Sequence, residues 1–159
     1  MLTIGLDPGT ATTGWGVVEL AKSKKDPHYV DCGIISTSSK TPMEKRLLEI
    51  HKDILSLIKK YNPQAFIVEN IFFNTNAKTA LLVGQARGVA ILTAAQKKLS
   101  IFSYTPLQVK MVITGYGRAD KQQMQQMVKT LLKLPRIPKP DDAADALAVA
   151  LTHCFTIKN

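Results

Sequence analysis

The sequence predicts an α/β domain, a mixed central sheet of five strands flanked by helices, over residues 1–159 as one unit. Three observations carry this prediction. Three strand-like segments open the chain without a helical period between them. Helical and strand patterns then alternate. At 159 residues, 45% of them hydrophobic, the chain is long enough to bury a core without disulfide or metal staples.

The elements follow in order. Leu2, Ile4 and Leu6 read as a first strand that ends in Asp7 and breaks at once into Pro8-Gly9. TTGWGVVEL reads as a second, antiparallel to the first across the Pro8–Thr13 loop. Basic, polar AKSKKDP marks a turn, and His28–Thr37 supplies a third strand, completing a meander. From Pro42 to Tyr61 the period changes. Leu47, Leu48, Ile50, Ile54, Leu55, Leu57 and Ile58 recur at three- and four-residue spacing with lysines between them, an amphipathic helix stopped by Asn62-Pro63.

Ala65–Val68 is a short apolar run typical of a buried strand, and it ends in Glu69. A long helix is expected from Ala77 to Leu99. Its small and apolar residues cover so wide an arc that burial from more than one side is expected. Ile101–Tyr104 is a fifth strand, and Pro106 opens a short helix. A Gly115-Tyr116-Gly117 loop leads to a helix over Lys121–Lys133. LPRIPKP is an extended connector, and DDAADALAVALTH forms the last helix, with Asp141 expected as its N-cap.

Charge narrows the function. Lys and Arg number 21 against 12 Asp and Glu, a net of +9 with a pI near 9.6. Such an excess points to a polyanionic partner, nucleic acid being the commonest; a surface charged for solubility is the alternative. No apolar stretch is long enough to span a bilayer, and no basic-then-apolar leader opens the chain. Cys32 and Cys154 make no disulfide framework and have no metal-ligand spacing. The expectation is a cytoplasmic protein with no membrane association.

The acids narrow it further. Two strands end in a carboxylate, Asp7 and Glu69, and on the last helix Asp142 and Asp145, three apart, share a face. Asp7 has two readings: a turn-former for Pro8-Gly9, or a residue held to meet a cation. Helix-start acids are ordinarily accounted for by unpaired N–H groups and the dipole. That covers Asp141 and Asp142 but covers Asp145 poorly, since it lies a turn inside among Ala144, Ala146 and Leu147. Two acids leading an apolar stripe repel one another unless a divalent ion sits between them. Hard Mg²⁺ takes a few carboxylates plus water and phosphate oxygen. Four acids could hold two ions about 4 Å apart, the arrangement that clamps attacking and leaving oxygens in phosphodiester hydrolysis. A basic chain with such a cluster reads as a nuclease.

IGLDPGTATTGWGVVE, FIVENIFFNTNAKTALLVGQARGVA, VKMVITGYGRADKQQMQQMV and DDAADALAVALTH, in that order and spacing, resemble the RuvC family of bacterial Holliday junction resolvases over nearly the whole chain. The resemblance implies a single RNase H-like nuclease domain that acts as a homodimer. It implies paired nicks in opposed strands of a four-way junction with Mg²⁺ or Mn²⁺, alongside the RuvA and RuvB branch-migration complex. It also implies Asp7, Glu69, Asp142 and Asp145 as catalytic, metal-holding acids. Phe72 is implied to stack on an unpaired base, with Phe73 packing beneath the loop, and Lys110 and Lys121 to lie close to the scissile phosphate. Lys78, Arg87 and Arg118 are candidates for backbone contact, with Arg87 also a candidate for a salt bridge between subunits. Ala80, Gly84, Arg87 and Gly88 fall on the small-residue helix expected at the dimer interface. His153 is expected in the core. Ala21–Asp26 is longer and more basic than the family pattern, and Trp15 stands where a tyrosine is common.

Three other readings fit the sequence less well. YqgF-type nucleases lack the DAADAL helix and the small-residue helix. Actin-like kinases need two such domains. A junction-binding module without catalysis would gain nothing from four carboxylates.

Overall fold

The computed structural model describes residues 1–20, 26–71 and 76–157. Five strands, β1 (Leu2–Asp7), β2 (Thr12–Glu19), β3 (His28–Ser36), β4 (Ala65–Glu69) and β5 (Ser100–Tyr104), form one sheet in the order β3-β2-β1-β4-β5. β1, β2 and β3 pair antiparallel, whereas β4 and β5 join parallel to β1. The sheet is therefore mixed, as the meander followed by alternation predicts. Among the described residues five helices cover it: α1 (Met43–Tyr61), α2 (Ala77–Gln96), α3 (Pro106–Thr114), α4 (Lys121–Leu131) and α5 (Asp141–Thr156).

Strand periodicity divides the core in two. Ile4, Leu6, Phe66 and Val68 point to one face, where Ile50, Ile54 and Ile58 of α1 and Ala86, Ala90 and Ala94 of α2 cover them. Ala65 and Ile67 point to the other, against α3, α4 and α5. The residues that alternate with Ile4, Leu6 and Val68 therefore face α5, and Asp7 and Glu69 are among them.

α5 is buried on nearly every side from Ala143 to Cys154. It lies against β1 and β2 because three glycines leave it room. A Cβ on Gly5 would stand 2.4 Å from the Ala146 carbonyl oxygen, and one on Gly16 would stand 2.8 Å from the Leu147 nitrogen. At Gly14 the Asp142 carbonyl oxygen comes closer still.

Several boundaries differ from expectation. α2 stops at Gln96 rather than Leu99, and Lys98 adopts a left-handed conformation with φ 56°. α4 stops at Leu131, with Lys133 left-handed beyond it (φ 53°). Asp141 is not the N-cap of α5: Pro140 occupies that position, and no side chain caps the helix. α2 is also less covered than its composition suggests. Within the chain its buried residues are Ala86, Ala90, Thr93 and Ala94, and Leu81 and Leu92 are exposed.

Candidate active site

Register brings the acids together. Asp7 pairs with Gly14 across β1–β2, and Leu6 lies beside Val68 in the parallel β1–β4 pair, so Asp7 and Glu69 close adjacent strands at the same end. α5 approaches Gly14 with its first turn, which carries Asp142 and Asp145 to that end of the sheet. Asp7, Asp142 and Asp145 each offer a carboxylate oxygen, and these oxygens lie within 4.8 Å of one another. Glu69 stands beside Asp7 in the lining of the same clefts.

The electrostatics are severe. Burial, then the carboxylates of Asp145 and Asp142, push the Asp7 pKa up to about 7. Burial, then Asp7 and Asp145, push Glu69 up to about 8, against the pull of Lys110. Asp145 is likewise raised by burial, with Lys121 opposing. The four acids cannot all be ionised cheaply without a cation. Their donor set is entirely carboxylate oxygen, which suits a hard divalent ion.

Two lysines share a cleft with these acids. The cleft, of about 210 Å³, is lined by Asp7, Glu69 and Asp145 together with Lys110 and Lys121. Lys110 belongs to α3, whose start is fixed by a Thr105–Gln108 capping box. Lys121 is the first residue of α4, behind an Asp120–Gln123 capping box. A positive charge there opposes the helix dipole, and two carboxylates compensate it: Lys121 Nζ lies 3.5 Å from Asp145 and 3.4 Å from Asp141.

A second cleft meets Asp7 and Glu69 from the α2 side and is lined by Thr79, Ala80 and Val83. Ala80, expected at a subunit interface, thus forms part of a wall beside the acids. Arg87 is also turned to this side. Its Nε donates to the Glu69 carbonyl (3.1 Å), and its Nη2 donates to Asn70 Oδ1 (2.7 Å) and Ser103 Oγ (3.0 Å). Arg87 ties down the end of β4 instead of reaching outward as an intersubunit salt bridge would require. Its signal lay in the sequence only as part of GQARG.

Of the remaining candidates, Lys78 and Arg118 are exposed, and Phe72 and Phe73 lie outside the described residues. Gly84 and Gly88 lie on the outer side of α2 with Leu81 and Leu92. His153 is buried, its ring against Phe102 (4.2 Å) and its Nδ1 3.0 Å from the Tyr104 hydroxyl, and burial lowers its pKa. Sequence reasoning missed the close-approach glycines. Their signal was the alternation of Gly14 and Gly16 opposite Gly5, combined with an alanine-rich helix.

Residues 3–153 match the family model described as Crossover junction endodeoxyribonuclease RuvC. A relative of that name from Pelotomaculum thermopropionicum is 54% identical over 153 residues, covering 96% of this chain and 92% of its own. The Thermus thermophilus RuvC structure in complex with a Holliday junction substrate superposes with a TM-score of 0.92 at 34% identity, covering 99% of this chain and 95% of its own. The yeast mitochondrial Holliday junction resolvase Ydc2, at 15% identity and TM-score 0.70, covering 96% of this chain and 77% of its own, shares the fold.

Proposed function

The chain belongs to the RuvC family of crossover junction endodeoxyribonucleases, and on that premise we propose that Asp7, Glu69, Asp142 and Asp145 are its catalytic acids. It is a nuclease that resolves Holliday junctions in recombination and repair. The observation that carries the site assignment is the approach of three carboxylates within 4.8 Å beside Glu69, with two pKa values lifted to about 7 and 8.

Asp7, Asp142 and Asp145, with Glu69, would hold Mg²⁺, two ions per subunit, with Mn²⁺ as a substitute. When bound, the metal supplies an activated water and charge neutralisation at the phosphate. The chain's own residues do the rest. Lys110 and Lys121 draw the scissile phosphate over the acids, and their charges favour the extra negative charge of the transition state. Lys78, Arg118 and the Phe72–Phe73 segment extend the contact to the junction, with Phe72 against a base.

Resolution into two duplexes needs two sites, and the described residues hold one such cluster. The partner reading is a second copy of the chain packed on α2. Leu81, Gly84, Gly88 and Leu92 form an outward stripe in which two large apolar side chains are exposed. Among the described residues, a Cβ on Gly88 would meet nothing within 4 Å, and one on Gly84 only Ile71 at 3.5 Å. Nothing among the described residues requires glycine at either place, although each weakens the helix. Close approach of a partner helix gives them a reason. Cooperation with RuvA and RuvB, and a cytoplasmic location, belong to the same proposal. No helix among the described residues is long and apolar enough to cross a membrane.

The test is cleavage of a synthetic four-way junction and a matched linear duplex with Mg²⁺, Mn²⁺, Ca²⁺ or EDTA. Paired nicks in opposed strands, confined to the junction and to Mg²⁺ or Mn²⁺, are expected. Cutting in EDTA would overturn the metal reading.

A further inference from the structure

Asp141 is the acid that the catalytic reading leaves over. It sits at the first position of α5, next to Asp142, yet it is absent from the group of converging carboxylates. Instead it is shared between two lysines. Its Oδ1 lies 2.8 Å from Lys139 Nζ and its Oδ2 lies 3.4 Å from Lys121 Nζ. All three side chains are open to solvent, 43% exposed for Asp141, 55% for Lys121 and 70% for Lys139, so a ligand can reach them together.

The spacing has a chemical meaning. Two ammonium groups, 2.8 Å and 3.4 Å from opposite oxygens of one carboxylate, are held close together on long, flexible, exposed stems. Two such cations can engage neighbouring phosphates of one strand without moving their backbones. The path does not stop at Lys139. A cleft of about 520 Å³ opens there between β3 and the 132–140 connector, and Arg136, Lys139 and Tyr29 are in its lining. On the other side, Lys121 also reaches Asp145 at 3.5 Å, which ties the same row to the catalytic acids.

We propose that the Lys121–Asp141–Lys139 bridge marks the path of the cleaved strand, with Lys139 a phosphate-binding residue beside the scissile position and Asp141 a carboxylate that the incoming phosphate displaces, not a metal ligand. The proposal rests on the nuclease reading above and extends the DNA surface toward β3. Before DNA arrives, Asp141 holds both ammonium groups in the arrangement the strand will use, and it partly cancels their charge. Binding exchanges one anion for another. The exchange favours a continuous strand that offers two phosphates at the right separation over a single free anion.

The experiment measures junction affinity in EDTA across a salt series, so that metal and chemistry do not enter, and nicking under single-turnover conditions in Mg²⁺. The proteins are the full chain and its Asp141→Asn, Lys139→Ala, Lys139→Arg and Lys97→Ala variants, the last being exposed beyond the end of α2. Lys139→Ala should weaken binding severalfold and lower the salt slope by about 0.9, Lys139→Arg should restore most of both, and Lys97→Ala should change neither. Asp141→Asn should tighten binding by about threefold or more, since two surface pairs no longer compete, and should still nick within a few-fold of the parent. Loss of nicking in Asp141→Asn comparable to that in Asp142→Asn would make Asp141 a ligand and overturn the proposal. Unchanged affinity and slope in both Lys139→Ala and Asp141→Asn would overturn it too. Failure of the parent protein to nick a junction is a separate result, which would remove the nuclease reading itself.

Discussion

The Asp142 carbonyl oxygen stands 2.0 Å from where a Cβ on Gly14 would lie. No side chain fits that gap, so the first turn of α5 can touch β2 only because residue 14 is glycine. Asp7 is the strand partner of Gly14, and the contact sets the distance from Asp7 to Asp142 and Asp145. Gly14→Ala should push the helix start away, at a cost of about 1–3 kcal/mol or more. Thermal melts should show the loss of stability. Isothermal titration should show weakened Mg²⁺ or Mn²⁺ binding, with junction binding in EDTA little changed. A variant with parental metal affinity would show that the helix start can shift without disturbing the acids.

Asp7→Asn, Glu69→Gln, Asp142→Asn and Asp145→Asn should each reduce nicking more than about 100-fold, beyond the 10–100-fold range of residues that only support a ligand. Junction affinity should hold or improve, because lysines supply the attraction for phosphate. Paired gel-shift and nicking measurements distinguish the two effects. Near-parental cutting by any one variant would remove that residue from the ligand set.

Metal and proton should compete at the acids. The folded-state pKa values of Asp7 and Glu69, about 7 and 8, lie above their ordinary 3.8 and 4.5. Groups raised in this way favour the folded chain at low pH, and that contribution is lost as pH rises through the folded values. In EDTA the melting temperature should therefore decline between about pH 4 and pH 8 from this source. The stabilisation by Mg²⁺ should grow over the same interval. Titration at pH 7 in buffers of differing ionisation enthalpy should detect protons released on metal binding, and release of none would mean the acids are already ionised.

Arg87 holds Glu69 through the backbone, with further bonds to Asn70 and Ser103. Arg87→Gln should lower nicking about 10–100-fold and weaken metal binding. Arg87→Lys should not rescue it, because one ammonium cannot reproduce the fork that spans three acceptors. Full activity in Arg87→Lys would reduce the residue to a point charge.

The α2 stripe predicts opposite effects on the subunit and on the assembly. Gly88→Ala should strengthen the helix by about 0.5–1 kcal/mol while weakening self-association. Gly88→Glu should yield monomers in sedimentation and single, unpaired nicks on a junction. A parent that sediments as a monomer at micromolar concentration while making paired cuts would count against this interface.

Much of this was legible in the chain itself. Strand alternation placed Asp7 and Glu69 at strand ends, helical spacing put Asp142 and Asp145 on one face, and the change of period at Pro42 separated meander from alternation. These are local regularities, set by backbone geometry within a few residues, and they survive without knowledge of the partner element. What the tertiary structure alone decided is where separate elements meet. Gly5, Gly14 and Gly16 read as weak strand formers until α5 is laid on them, and Arg87 reads as a surface cation until its three acceptors close around it. Asp141 reads as a cap until Pro140 takes that position and two lysines take the carboxylate. Apart from Pro140 and Lys139, which adjoin Asp141 in the sequence, the partners in those roles lie far away in the chain, and a contact across such a distance leaves no period in the sequence to read.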